Sequence, residues 1–455
     1  MIRATFTFPK GFLWGTATSS HQVEGDNRNN DWWRWEESGR VIQGQVSGRA
    51  CEWWAGRWAE DLDRARQSGQ NAHRLSIEWS RIEPGPAVWD ESAIDGYRTI
   101  LRGALDRGLI PIVTLHHFTT PRWLADQGGW ANPSIVDRFA RFARKMARSF
   151  RGLVGAWVTI NEPNVLAVMA YLRGEFPPGM RSLRATVGVL ENLTRAHAAA
   201  YRELKAADPT SLVGCAHHYR GMLPLRPRRP LDRWAARIRS RLFNDLIPGA
   251  LDDGWFRFPG RTRRLDGQGT QDFLGLNYYT QELVTFDLRR PNELFGRGLF
   301  PPDADVSGSG FLANEPAGLW AALRWAHRFQ LPIYILENGI DDAADRIRPR
   351  YLALHLRELW RAANFNWKLR GYFHWSIVDN FEWSQGWQQQ FGLWELDPVT
   401  QERRKRPSAE LYADICQHNG LSSEAVARYA PEALERLYPG GHPVEMVIQR
   451  GAPRP

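Results

Sequence analysis

Cysteine and lysine are both scarce in this chain, long apolar runs are missing, and nothing resembling a linker interrupts it. The three cysteines, Cys51, Cys215 and Cys416, are widely spaced and odd in number. That excludes an internal disulfide framework and the closely paired ligand spacing of a zinc site. No stretch approaches the ~18 consecutive apolar residues of a membrane-spanning helix. The first residues run almost directly into a strand-like motif, without a charged leader, an apolar segment and a cleavage site. A cytoplasmic protein with no membrane partner is expected. No Gly/Ser/Pro-rich stretch divides the 455 residues, so one domain is expected although the length would allow two or three of average size.

What the chain does have is arginine and tryptophan. Its net charge is +9, which raises the question of nucleic acid or an anionic surface. The basic residues are overwhelmingly arginine and interleave with Asp and Glu. Two local clusters stand out, one of Arg226, Arg228, Arg229, Arg233, Arg237, Arg239 and Arg241 and one from Arg403 to Arg406. Neither accompanies a nucleic-acid-binding motif, so a solvated surface is the expected reading and no nucleic-acid partner is expected. Twenty-two tryptophans are unusually many, and several lie beside the motifs described below. Sugar rings stack flat C–H faces on indole, so the excess suits carbohydrate binding, although a single Trp is more often core.

Eight strand-like runs occur in order: Leu13–Ser19, Ala72–Ile77, Ile110–His116, Gly155–Ile160, Leu212–His217, Phe273–Tyr278, Ile333–Leu336 and Gly371–Ser376. Segments with helical period lie between most of them, among them Trp58–Ser68, Ile94–Arg107, Ile135–Phe150 and Leu183–Ala207. Alternation of this kind makes an α/β fold with parallel strands and helical crossovers, and eight repeats make a single (β/α)8 TIM barrel. The longest irregular stretches, Arg220–Pro230, Phe286–Asn314 and Phe381–Lys405, are expected as elaborated βα loops walling a pocket.

Two glutamates sit where predicted strands end: Glu162 in Thr159-Ile160-Asn161-Glu162-Pro163, and Glu337 in Ile335-Leu336-Glu337-Asn338-Gly339. Taken singly, each reads as a helix N-cap or a surface ion pair. In a barrel of parallel strands, however, the strand ends share one face, and two glutamates far apart in sequence converge there. Paired carboxylates suit glycoside hydrolysis: one protonates the leaving oxygen, the other attacks or stabilises a sugar cation, and neither step needs a metal or another cofactor.

Both motifs, with Phe12-Leu13-Trp14-Gly15-Thr16-Ala17-Thr18-Ser19-Ser20-His21-Gln22-Val23-Glu24-Gly25 near the start and Asp379-Asn380-Phe381-Glu382-Trp383 late on, resemble glycoside hydrolase family 1, the retaining β-glucosidase and β-galactosidase family. The resemblance runs from about Phe8 to about Gly420. It implies a catalytic unit over residues 1–420 and leaves 421–455 as an extension without a functional account, with Ala and Glu suggesting a helix before a Pro/Gly-rich tail.

The resemblance implies Glu337 as nucleophile and Glu162 as acid/base. It puts Arg74 and Tyr279 beside the nucleophile and Asn161 on the sugar 2-hydroxyl. Gln22, His117, Trp375, Glu382 and Trp383 would line the nonreducing-sugar subsite, with Phe391 a weaker candidate for its wall. Glu382, Gln389 and Phe391 stand where relatives that act on 6-phosphorylated glycosides hold the phosphate, so an unphosphorylated small-molecule glycoside is the implied substrate. His116, His217 and His218 read as packed or polar strand-end residues, not ligands. Leu336 and Thr119 depart from the family pattern, where Thr and Asp are frequent. Two rivals stay open at this level: a transglycosidase using the same covalent intermediate, and a catalytically silent carbohydrate-binding scaffold.

Overall fold

Small residues at inward-facing strand positions let a tight barrel close around bulky neighbours. In the computed structural model, which describes residues 4–439, eight parallel strands form a closed barrel. They are β1 (Leu13–Ala17), β2 (Ala72–Ser76), β3 (Ile110–His116), β4 (Ala156–Asn161), β5 (Leu212–His218), β6 (Phe273–Asn277), β7 (Ile333–Asn338) and β8 (Leu369–Trp375). Each pairs with its chain neighbours, and β8 closes onto β1. A side chain at Gly15 would lie 2.6 Å from the Phe373 ring, and one at Gly214 the same distance from Phe273. Glycine at these two points lets the phenylalanines fill the barrel interior beside Ala72, Ile112, Val158 and Leu336.

The expected strands and helices recur with ends displaced by a few residues at most. The helices are Trp58–Gln67, Glu91–Asp106, Ile135–Ser149 and Leu183–Ala207. Ile135–Ser149 buries Ile135, Phe139, Phe142, Ala143 and Met146, one face at helical spacing, and packs on Leu183–Ala207. The latter is capped by the Ser182 side chain, which accepts from the Ala185 N–H.

All three stretches expected as irregular carry strands. Gly221–Pro224, Gln281–Phe286 and Gly296–Leu299 make a three-stranded sheet, and Trp394–Leu396 pairs with Arg403–Lys405. These strands are three to six residues long and carry little apolar alternation, so their pairing comes from tertiary contact and leaves little local signal. At the other end of the chain, Gly420–Ser422 pairs antiparallel with Thr5–Thr7. Leu421, Val426, Ala433 and Leu437 are buried in the same apolar cluster as Phe6, Trp14 and Tyr372. Residues 421–437 therefore pack against the barrel body. The Pro/Gly-rich stretch expected after them, 440–455, lies outside the described residues.

Candidate active site

Because the strands run in one sense, their C-terminal ends share a face, and the buried polar residues gather there. Glu337 is the penultimate residue of β7 and Glu162 directly follows β4. His218 ends β5, Asn277 ends β6, and Arg74 lies within β2. Glu162 occupies the N-cap position of the short helix Pro163–Ala167, with proline at its first turn, yet its side chain makes no capping bond. Its backbone is left-handed, at φ 42°, and the carboxyl is directed to two neighbouring strands instead. The N-cap reading of Glu162 thus holds for the backbone and fails for the side chain.

Both Glu337 oxygens are occupied. Arg74 Nη1 donates to Oε1 at 2.5 Å, and the Tyr279 hydroxyl donates to Oε2 at 2.6 Å. Arg74 is fully buried and spreads its remaining donors over Asn161 Oδ1 (2.6 Å), Thr114 Oγ1 (3.1 Å) and the Leu336 carbonyl (3.2 Å). The Asn277 amide then bridges Asn161 Oδ1 at 3.1 Å and Glu162 Oε1 at 2.9 Å. A continuous hydrogen-bonded path, Glu337–Arg74–Asn161–Asn277–Glu162, therefore joins the two carboxyls. Removing either end of the Arg74–Glu337 pair would strand a buried charge, which costs about 3–5 kcal/mol.

His218 Nδ1 lies 2.8 Å from Glu162 Oε1, and its ring stacks on Tyr279 with centroids 5.8 Å apart. Both hydrogen bonds of the Glu162 carboxyl thus go to Oε1, and Oε2 is the oxygen left to carry a proton outward. Burial pushes Glu337 up, to about 7, and the charge of Glu162 adds to the rise; Arg74 and Tyr279 oppose it. Glu162 is equally buried, but the field and hydrogen bond of His218, with help from Asn277 and Arg74, bring it below the ordinary carboxylate range. That lowering is carried chiefly by His218, against burial, which alone would raise Glu162.

A second cluster adjoins the first through His117, whose Nε2 lies 3.1 Å from the Asn161 amide nitrogen. The His117 ring stacks on Trp375 (5.9 Å) and on Trp383 (6.0 Å). The Trp375 indole N–H donates to Glu382 Oε1 at 2.9 Å. Burial pushes Glu382 up to about 8, with the charge of Glu337 adding to it. Gln22 is held in place by the Phe381 carbonyl (2.8 Å) and the Ser19 hydroxyl (2.6 Å). Phe391 packs edge-on against Tyr279, 6.0 Å between centroids. A Cβ at Gly339 would meet the Trp375 carbonyl at 2.1 Å, so the glycine after Glu337-Asn338 lets the β7 end and the Trp375 backbone approach. The loop bearing Glu382, Trp383 and Phe391 is clamped by Asp379, which takes both Arg406 nitrogens at 2.8 Å and the Gly392 N–H at 2.8 Å.

All eleven residues singled out in the sequence fall into these two joined clusters. Asn277 and His218 were not assigned a role, although both contact Glu162. Their signal was positional: each ends a strand that lies beside or next but one to the strand preceding Glu162. Thr119, one of the departures, donates to Glu78 Oε2 at 2.9 Å, and Leu336 contributes its carbonyl to Arg74. His116 meets the Trp130 indole N–H at 3.1 Å. Among the described residues, no group of three or more His, Cys, Asp or Glu is arranged to hold a metal ion.

A parallel eight-stranded α/β barrel with buried carboxyls and indoles at its strand ends has the architecture of a sugar-cleaving enzyme. Residues 4–251 and 259–421 match the model of glycosyl hydrolase family 1, and the chain belongs to that family; it is a glycoside hydrolase. It is 32% identical to a β-galactosidase of Pyrococcus woesei, over 92% of this chain and 98% of the relative. It is 31% identical to β-glucosidase A of Thermotoga maritima, over 91% and 98%. Among solved structures, a β-glycosidase from Pyrococcus horikoshii superposes with a TM-score of 0.88 at 37% identity, covering 94% of this chain and 98% of that one.

Proposed function

We propose that this enzyme removes terminal, unphosphorylated β-D-glucose, and β-D-galactose or β-D-fucose as well, from small glycosides with retention of configuration. Glu337 is the nucleophile and Glu162 the acid/base. The observation that carries the reading is the single network holding both carboxyls, with Arg74 on one and His218 and Asn277 on the other.

In double displacement, Glu337 attacks the anomeric carbon while Glu162 Oε2–H protonates the leaving oxygen; the deprotonated Glu162 then takes a proton from the water that releases the sugar. Arg74 and Tyr279 hold Glu337 oriented and favour its charged form. Asn161, itself fixed by Arg74 and Asn277, offers its amide to the sugar 2-hydroxyl, a contact that strengthens as positive charge develops. Glu382 and Gln22 supply hydrogen bonds to the outer hydroxyls, and Trp375 and Trp383 the apolar walls. Burial pushes Glu382 up, to about 8, which weakens the repulsion its charge could supply. Discrimination against a 6-phosphate then rests on burial beside Glu382, Gln389 and Phe391, none of which is cationic. A cytoplasmic location accords with three buried, unpaired cysteines.

The proton must reside on Glu162 and the charge on Glu337, and His218 governs that distribution. The field and hydrogen bond of His218 hold Glu162 below its ordinary range, and the Glu162 charge in turn raises Glu337. For His218→Asn, which keeps a donor but no charge, the proton moves to Glu162, its repulsion of Glu337 disappears, and Glu337 stays ionised to lower pH. The acid limb of the kcat/KM profile is expected to move to lower pH. An unmoved or raised limb would count against this role.

Time-resolved proton NMR tests the activity itself, with 4-nitrophenyl β-D-glucoside beside the galactoside, fucoside, mannoside and 6-phosphoglucoside. The β-anomer of glucose is expected first, with no turnover of the 6-phosphoglucoside. Early α-anomer would overturn the mechanism, and folded protein that turns over no member of the panel would overturn the activity. Repeating the run with added sugar acceptors separates hydrolysis from transglycosylation.

A further inference from the structure

The arginine cluster near residue 230, expected to be ordinary solvated surface, has a more specific organisation in the folded chain. Helix Pro230–Ser240 buries Asp232, Ala235 and Ala236, with Arg239 on the same side through its ion pair to Glu282. At 3.6 residues per turn, the opposite face centres on Trp234, with Arg233, Arg237 and Arg241 beside it at i, i+4 and i+8. Leu231 stands one turn before Trp234. Trp234 is 48% and Leu231 47% exposed.

Some arginines of this surface are paired: Arg226 with Asp232, Arg289 with Asp287, Arg290 with Glu293. Arg228, Arg229, Arg233, Arg237 and Arg241 are exposed, and among the described residues none of the five takes part in an ion pair. Leu288, 72% exposed, follows Phe286, whose ring packs against Trp234.

We infer that this face is a docking surface for an anionic lipid bilayer. Indole and leucine on the crest of a short helix, flanked by uncompensated guanidinium groups, match the interface between acyl chains and acidic headgroups. A nucleic-acid duplex would use the charge but leave Trp234 and Leu231 without a partner. A second copy of this chain would bring five unpaired cations against five.

The surface belongs to the catalytic end of the barrel. The turn that continues the helix, Arg241–Asp245, sets Phe243 against His218 at 5.8 Å, and its carbonyl accepts from Asn164 at 3.0 Å. Docking would thus bring the strand-end face to the membrane surface without any spanning segment; no helix among the described residues is long and apolar enough to cross a bilayer.

Co-sedimentation of the full chain with vesicles tests this. Binding is expected to vesicles of phosphatidylcholine with phosphatidylserine and not to phosphatidylcholine alone, and it should weaken steeply with added salt. Arg233→Glu with Arg237→Glu, and separately Trp234→Ser, should each weaken vesicle binding by at least about tenfold, with turnover of a soluble aryl glycoside unchanged as the check on folding. Absence of binding to anionic vesicles would overturn the inference. So would equal binding to neutral ones, or undiminished binding by the charge-reversed variant. Salt-sensitive retention on duplex DNA or RNA without vesicle binding would assign the arginines to nucleic acid, and concentration-dependent dimerisation lost in Trp234→Ser would assign the face to self-association.

Discussion

Replacing Glu337 with glycine is expected to lower kcat for 4-nitrophenyl β-D-glucoside by roughly 10^5-fold, the loss that the proposed nucleophile role requires. The substitution also removes the counter-ion of a guanidinium that is fully buried, so a stability loss of about 3–5 kcal/mol accompanies it. Formate or azide should act on both defects. A small anion in the vacated space restores a charge beside Arg74 and supplies a nucleophile on the same face of the sugar. Such a single displacement inverts the anomeric centre, so azide should yield the α-glycosyl azide, detectable by NMR. Full activity in a folded Glu337→Gly protein, or a complete absence of rescue, would remove Glu337 from the nucleophile role.

Glu162→Ala should behave differently because it leaves the nucleophile intact. For alkyl glycosides, whose leaving oxygen must be protonated as the bond breaks, kcat/KM is expected to fall about 10²–10⁴-fold. For an activated aryl glycoside such as the 2,4-dinitrophenyl compound, formation of the glycosyl-enzyme should be nearly preserved and its hydrolysis slowed. The intermediate would then accumulate after an initial burst. Azide needs no general base and should accelerate turnover, attacking the Glu337-linked sugar from the opposite face to give the β-glycosyl azide. The two variants are thus told apart by product configuration, which a general loss of stability cannot imitate. Equal losses on good and poor leaving groups would argue against Glu162 as the acid.

Much of the site was legible because its residues sit in contiguous motifs attached to strand ends. Asn161-Glu162-Pro163 carries its own local logic, a proline opening the helix after a strand. Glu337-Asn338-Gly339 carries a glycine where the Trp375 carbonyl comes too close for any side chain. His218 and Asn277 were harder to see. Nothing in their own segments separates a strand-end histidine packed in the wall from one that sits 2.8 Å from a carboxyl. That distinction exists only once β4, β5 and β6 lie side by side. The strands of the outer sheet escaped for a related reason, since Gly296–Leu299 has no alternation and is a strand only through Gln281–Phe286.

The amino-acid sequence by itself determined the alternation of strand and helix, hence the barrel, and the pair of glutamates at strand ends, hence the class of chemistry. These follow from periodicity and local turn preferences that act within a few residues. The tertiary structure alone decided which neighbours set the charge of each carboxyl and which arginines of the 226–241 cluster found carboxylate partners. Electrostatic fields and desolvation depend on distances through space, between residues such as Arg74 and Glu337 that lie far apart along the chain.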